Sequence, residues 1–161
     1  LFRSDFSMFW QGVAKRDLWL DGPMFWGISG GEWQSTGLKE HLDYYRPENT
    51  TSVFGPNTNA YFPKMYMSKD MNQKVQTRYL QNGAYARLKN IQLGYTFPTQ
   101  IINKLHMQKL RVYVSAENVL TITSLPSGFD PETTYSSYSD GNSGKTYPLQ
   151  TTISFGLNAT F

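Results

Sequence analysis

Apolar residues return at every second position in four stretches of this chain. In the first, Phe2, Phe6, Met8 and Trp10 share one parity, while Arg3, Asp5, Ser7, Phe9 and Gln11 share the other. In the second, YARLKNIQLGYTF, the set Ile91, Leu93, Tyr95 and Phe97 alternates with Asn90, Gln92, Gly94 and Thr96. The third, LRVYVSAENVLTI, sets Leu110, Val112, Val114, Ala116, Leu120 and Ile122 against Arg111, Tyr113, Ser115, Glu117 and Thr121, and only Asn118 interrupts its apolar face. The last closes the chain, with Ile153, Phe155, Leu157, Ala159 and Phe161 opposed to Gln150, Thr152, Ser154, Gly156, Asn158 and Thr160. A side-chain period of two is the signature of a β-strand with one apolar and one polar face. Leu88 breaks the phase of the second run, which marks Arg87 to Lys89 as a bulge or a rim position.

The runs are roughly ten residues or longer, whereas strands of soluble domains average about 5–6 and a tilted strand crossing a bilayer needs about 9–11. Length and alternation together favour a membrane barrel over a soluble two-sheet sandwich, in which the same aromatics would pack between the sheets. The connections are unequal. Pro98 to Lys109 is short, and PTQIINKLHM predicts one or two helical turns with Ile101, Ile102 and Leu105 on one side. Thr123 to Pro148 and Gly12 to Asn82 are long. Outer-membrane barrels have short periplasmic turns and long extracellular loops. The four strands are therefore expected to run up, down, up and down, with Phe161 on the periplasmic side. Tyr95, Phe97 and Phe161 then end downward strands, at the level where Phe2 and Phe6 open an upward one, as an interfacial aromatic girdle requires.

Composition agrees with an all-β chain: aromatic residues make up 16%, and Thr, Ser, Asn and Gly are abundant. The 161 residues suffice for one domain. The 15 Lys and Arg against 12 Asp and Glu are scattered, which gives nucleic-acid binding little support. Without cysteine there is no disulfide framework, thiol nucleophile or cysteine-bound metal. No apolar run is long enough for a transmembrane helix, but alternating barrel strands average out to a soluble-looking hydropathy. The opening LFRSDFSMFW begins inside a strand pattern without an initiator Met or signal-like core, and reads as an internal cut in a longer protein.

No catalytic or metal-ligating residue is expected, and no cofactor. The two histidines, His41 and His106, fall in different loops, His106 in the short turn where a solvated ring is expected. Asp130 and Glu132 in GFDPE suggest a carboxylate pair or a calcium ligand, yet Asp before Pro commonly starts a turn. GISGGEW (27–33) lacks the Lys-Ser/Thr of a phosphate loop and reads as a flexible loop. A β-sandwich glycosidase would need two carboxylates about 5–10 Å apart, and no convincing pair stands out. Binding fits better. The long loops hold Trp19, Phe25, Trp26, Trp33, Tyr44, Tyr45, Tyr135, Tyr138 and Tyr147 among Asp and Asn. Sugar rings stack on aromatic faces and hydrogen-bond to carboxylates and amides, so Trp19, Trp33, Tyr44, Tyr45, Tyr135 and Tyr138 are the substrate-binding candidates. The alternative is that these rings anchor the loops or meet a partner protein. Arg87, Lys89, Arg111 and Glu117 are expected on the wet, lumen-facing wall, paired across strands.

The stretch YLQNGAYARLKNIQLGYTFP (79–98), followed by LRVYVSAENVLTIT and GFDPE, resembles the C-terminal end of SusC/RagA-type TonB-dependent transporters, the outer-membrane nutrient importers of Bacteroidetes. HLDYYRPENT (41–50), NAYFPKMY (59–66) and FWQGVAKRDLWLDGP (9–23) are similar to the same family's pattern, in the same order. The resemblance implies roughly the last four antiparallel strands of a barrel of about 22, with residues 1–161 as one C-terminal portion and the plug and earlier strands outside it. It also implies a SusD-like surface lipoprotein as partner, TonB-driven import of oligosaccharides or peptides through a segment not in this chain, the bilayer and the rest of the barrel as surroundings, and a terminal Phe161 read as an assembly signal. The implied location is the outer membrane of a Bacteroidetes-type Gram-negative cell, and the implied activity is transport, not catalysis. A soluble all-β glycan-binding module is the other functional reading.

Overall fold

The computed structural model describes residues 3–30, 37–66, 72–134, 144 and 146–161. These form two compact units, one built from residues 1–16, 84–124 and 149–161 and the other from residues 17–83 and 125–148. Among the described residues the strands are β1 (Ser4–Val13), β2 (Asp17–Leu18), β3 (Gln81–Asn82), β4 (Tyr85–Thr96), β5 (Lys109–Thr123) and β6 (Thr152–Thr160).

The first unit is an antiparallel sheet in the order β1-β4-β5-β6. Its register turns the sequence alternation into rows. Phe6, Leu93, Val114 and Phe155 are direct neighbours across the four strands, as are Met8, Ile91, Ala116 and Ile153. One step along, Ser7, Gln92, Ser115 and Ser154 form a row on the opposite face. A shift of one residue would mix the faces, so the apolar pattern specifies the register.

The phase slip at Leu88 is a bulge. Phe9 pairs with Asn90 and Trp10 with Leu88, which leaves Lys89 as one extra residue on β4. A single insertion inverts parity, so Leu88 rejoins the face of Trp10 and Met8. On β5, Glu117 pairs with Asn90 and Leu120 with Leu88, so Asn118 and Val119 both fall in the irregularity. Two extra residues relative to β1 preserve parity, which keeps Leu120 and Ile122 in phase with Ala116. Asn118, the residue that interrupted the apolar face, takes a left-handed φ of 53°, a conformation that asparagine tolerates better than most side chains.

The β4–β5 connection contains α2 (Thr99–Ile102) and a 3₁₀ turn over Asn103–Leu105, and left-handed His106 (φ 55°) turns the chain back. The helical turns match expectation, but Ile101 and Ile102 do not share an environment: Ile102 is buried and Ile101 is exposed. Adjacent helical residues point about 100° apart, so one turn of helix buries only one of them.

In the second unit, β2 and β3 pair, and α1 (Pro23–Trp26) leads into a 3₁₀ turn, Gly27–Gly30. Leu20, Phe25, Trp26, Phe62, Tyr79, Leu125 and Phe129 make its core. Trp26 is the hub. Its ring meets Tyr79 edge-on at 4.9 Å and Phe25 at 5.1 Å, and its indole N–H donates to the Leu20 carbonyl at 3.1 Å. Burying an indole without such an acceptor would cost about 1–3 kcal/mol.

Candidate functional site

The two faces of the sheet differ in chemistry; Tyr85, Arg87 and Leu88 are buried, and away from them the apolar face is largely bare. On the apolar face Phe155 is 84% exposed, Leu157 64% and Ile153 63%, and Phe6, Met8, Leu93 and Ile122 are each more than half exposed. Contiguous apolar surface of this kind is unstable against water and suits hydrocarbon or another apolar surface. Tyr95 and Phe97 pack edge-to-face at 5.3 Å near one end of the sheet, where Phe161 lies exposed. No helix among the described residues is long and apolar enough to cross a membrane. Among those residues, β1 and β6 each have one hydrogen-bonded neighbour, which leaves an unpaired edge on either side.

The polar face is organised around glycines. Asp5, Gly94, Tyr113 and Gly156 occupy one row across the strands. Arg111, one row away, reaches over Gly94 to Asp5, with Nη2–Oδ2 at 2.5 Å and Nε–Oδ1 at 3.2 Å. A Cβ on Gly94 would collide with both partners, and one on Gly156 would strike the Tyr113 ring. The missing side chains are thus what lets an ion pair and a flat aromatic ring lie down on the sheet. The Arg111 guanidinium also stands 5.0 Å from the Tyr113 ring centroid. Arg87 lies on the same face, in a row with Gln11 and Thr121, and its Nε donates to Thr121 Oγ1 at 2.8 Å. Arg111 pairs across the sheet on its polar face as expected, whereas Arg87, at the phase slip, is buried and not bathed in water.

The loop unit explains the remaining sequence features one by one. The Asp130 carboxylate accepts the Glu132 N–H at 2.8 Å and its carbonyl accepts the Thr134 N–H at 2.9 Å, so GFDPE is a buried turn. His41 is buried. The Leu38 N–H donates to Nδ1 at 2.9 Å, and Nε2 lies 3.2 Å from the Phe25 carbonyl, an arrangement that suits the Nε2–H tautomer. Gly27 packs directly under that imidazole. Tyr79 is buried beside Trp26 and Tyr61, and burial raises its phenol above the ordinary tyrosine range. Within the unit an apolar cavity of about 870 Å³ is lined chiefly by Phe25, Phe62, Leu125 and Phe129. Among the described residues, no three of His, Asp and Glu converge as metal ligands.

Of the substrate-binding candidates, Trp33, Tyr135 and Tyr138 lie outside the described residues. Trp19 packs at the core, 5.7 Å from Trp26, and Tyr44 also borders the core. Tyr45 stands apart with 40% of its surface exposed. Local backbone geometry causes the split. Tyr45 N–H donates to the Phe62 carbonyl, and Arg46 exchanges both backbone hydrogen bonds with Asn57. This extended segment turns Tyr44 and Arg46 inward and Tyr45 outward. Arg46, buried, donates to the carbonyls of Gly55 (2.6 Å) and Leu42 (2.7 Å) and stacks 4.7 Å from the Tyr44 ring. Asp43 ties the segment to its neighbour through Asn57 Nδ2 and the Tyr61 N–H. Tyr45 rises from this frame between two clefts of about 380 and 440 Å³, and Lys64 lines both. The role of Arg46 was not legible in sequence, because the turn between Pro47 and Asn57 is what brings Gly55 and Phe54 back to it.

No family model matches the chain. Its sequence is similar to TonB-dependent receptor P3 of Formosa agariphila, with 35% identity over 112 residues, 65% of this chain and 11% of that receptor. TonB-dependent receptor P26 of the same organism is 25% identical over 163 residues, covering 98% of this chain and 15% of the receptor. In fold the chain is similar to a chain of the RagAB peptide transporter, with TM-score 0.64, 22% identity, and coverage of 98% of this chain and 16% of that one. The RagAB peptide importer in its closed-closed state gives TM-score 0.62 at 21% identity, over 99% of this chain and 16% of the other. The chain therefore spans between 11% and 15% of the length of the curated relatives it matches.

Proposed function

We propose that the chain, similar in sequence to TonB-dependent receptors and in fold to a chain of the RagAB peptide transporter, is a segment of a SusC/RagA-type TonB-dependent transporter and forms part of the wall and outer loops of an outer-membrane nutrient importer. The observation that carries this reading is the exposed apolar face of a four-stranded antiparallel sheet whose opposite face is polar and whose edges are open. Lipid covers the apolar face. A watery lumen solvates Asp5, Arg111 and Tyr113. Neighbouring strands of a closed barrel of about 22 pair with β1 and β6. A soluble glycan-binding module would leave the row from Phe6 to Phe155 and the edge strands bare in water, which weighs against it.

The importer works with a SusD-like surface lipoprotein, which meets the long loops, and TonB supplies energy through another part of the transporter. Its cargo is oligosaccharide, with peptide as the alternative that the RagAB likeness suggests. Tyr45 is the exposed ring offered to cargo or lipoprotein, Trp19 and Tyr44 hold the loop core, and Trp33, Tyr135 and Tyr138 stay candidates on their sequence alone. No step of bond making or breaking is assigned to any residue. The test is uptake by cells carrying the intact transporter and its lipoprotein, supplied with labelled oligosaccharides and peptides. Outer-membrane fractionation with TonB-dependent accumulation is the expected result; recovery in the soluble fraction, or uptake that persists without the transporter, would overturn the reading.

A further inference from the structure

We propose that the two clefts flanking Tyr45 form a binding site for an acidic sugar, a pyranose bearing a sulfate ester or a carboxylate. The inference rests on the oligosaccharide reading above and narrows it to a substrate class.

Three features carry it. The first is the platform. Tyr45 is exposed and its backbone is held by the Phe62 carbonyl. Its aromatic face is therefore presented without further ordering, and the clefts on either side fall in the range of about 300–1,000 Å³ typical of small-molecule sites.

The second is charge. Lys64 lines both clefts, and its ammonium sits 5.3 Å from the Tyr66 ring centroid. Arg78 lines the larger cleft, with Nη2 donating to the Ala60 carbonyl at 2.7 Å and Nε to the Tyr61 carbonyl at 3.3 Å, which fixes the guanidinium plane. Among the described residues no carboxylate lines either cleft or pairs with Lys64 or Arg78. Glu48, in the adjoining turn, lines neither. Arg46 also lines the smaller cleft, with its guanidinium engaged by the Gly55 and Leu42 carbonyls, so among the described residues the two clefts carry three cations and no carboxylate.

The third is the direction of hydrogen bonding. Thr50 Oγ1 accepts the Ser52 N–H at 3.2 Å, and Ser52 Oγ accepts the Phe54 N–H at 3.3 Å. With their oxygens engaged as acceptors, both hydroxyls keep a proton to donate into the smaller cleft. Ammonium, guanidinium and hydroxyl donors around an aromatic platform match a ring whose substituents are acceptors and whose charge is negative. A neutral sugar would use the platform and leave the cations idle.

The test uses the intact transporter with its lipoprotein in nanodiscs. Calorimetry compares a sulfated oligosaccharide, its desulfated counterpart and an oligosaccharide of similar size carrying uronate. The anionic ligands are expected to bind about tenfold more tightly than the neutral one, a preference that shrinks as salt rises to about 0.5 M. Lys64→Gln should abolish the preference, and Lys64→Arg should retain it. Tyr45→Ala should weaken all ligands about five- to tenfold. Comparing sulfate with uronate identifies which anion is preferred. Equal binding of charged and neutral glycans, or a preference untouched by Lys64→Gln, overturns the inference and leaves glycan import standing. Binding of peptides with no binding of any glycan overturns the oligosaccharide reading itself.

Discussion

A single-residue step along β6 should separate a change that the protein cannot accommodate from one that it hardly notices. β6 runs for 9 residues, Thr152–Thr160, centred on Gly156. At a rise of about 3.3 Å and a tilt of about 45°, each residue advances about 2.3 Å along the membrane normal. The strand thus spans about 21 Å of an apolar band about 25 Å tall, and Phe155 lies within about 3 Å of its midplane. An arginine facing lipid at that depth costs about 2–4 kcal/mol. The Phe155 ring is 84% exposed, so its replacement removes little protein packing to confuse the measurement. Phe155→Arg should therefore lower the folded-to-unfolded ratio of the intact transporter by roughly 30- to 700-fold. Ser154→Arg, facing the wet side beside Ser115, should change stability by less than about 0.5 kcal/mol. Ala159→Arg lies on the apolar face near the strand end, where the cost falls to about 0–1 kcal/mol. Urea titration in lipid vesicles, followed by the heat-sensitive gel mobility of a barrel, measures all three. Equal effects of Ser154→Arg and Phe155→Arg would refute the facing. A cost at residue 159 as large as that at 155 would refute the membrane depth, since a packed soluble core has no such gradient.

Three further outcomes are expected. Deleting Phe161, or replacing it with Asp, should lower the outer-membrane level of the transporter without altering its loops; immunoblots of membrane fractions and protease mapping of the loops check this, and unchanged assembly would contradict it. Trp26→Ala should destabilise the loop unit by about 3–5 kcal/mol, because it removes the ring at the centre of the Phe25, Phe62 and Tyr79 contacts; the loops should become protease-sensitive while the heat-sensitive mobility of the barrel persists. Tyr79, whose phenol is raised by burial, should ionise later than exposed tyrosines in an ultraviolet titration. Because the folded unit holds that proton more tightly than the unfolded chain, its contribution is intact below the ordinary phenol value of 10.0 and is lost as pH climbs through the raised one.

The strands were legible because their signal is local. Alternation at a period of two needs only neighbouring residues, and register follows once one face must match across four strands. One defect was marked: Leu88 out of phase announced the bulge at Lys89, whereas Asn118 read only as a break in the apolar face and its left-handed backbone came from the structure. The helical turn after Pro98 was also visible, although which of Ile101 and Ile102 it buries was not, since that depends on what lies beside it.

The loops and the polar face behave differently. A list of aromatics in a long loop cannot say which rings are core, because Trp19, Tyr44 and Tyr45 have the same composition signal and differ only in how an extended backbone points them. Gly94 and Gly156 look like weak points in a strand until Arg111 and Tyr113, a strand away, are seen to occupy the space they leave. Lys64 and Arg78 are ordinary surface cations in sequence; the fold gathers them beside Tyr45, with no carboxylate lining either cleft among the described residues. The sequence by itself determined the strands, their two faces and the medium each face suits, because those depend on side chains a few positions apart. Only the tertiary structure decided which loop ring is presented and what charge surrounds it, because those depend on residues that meet across turns and strands, through contacts no local period encodes.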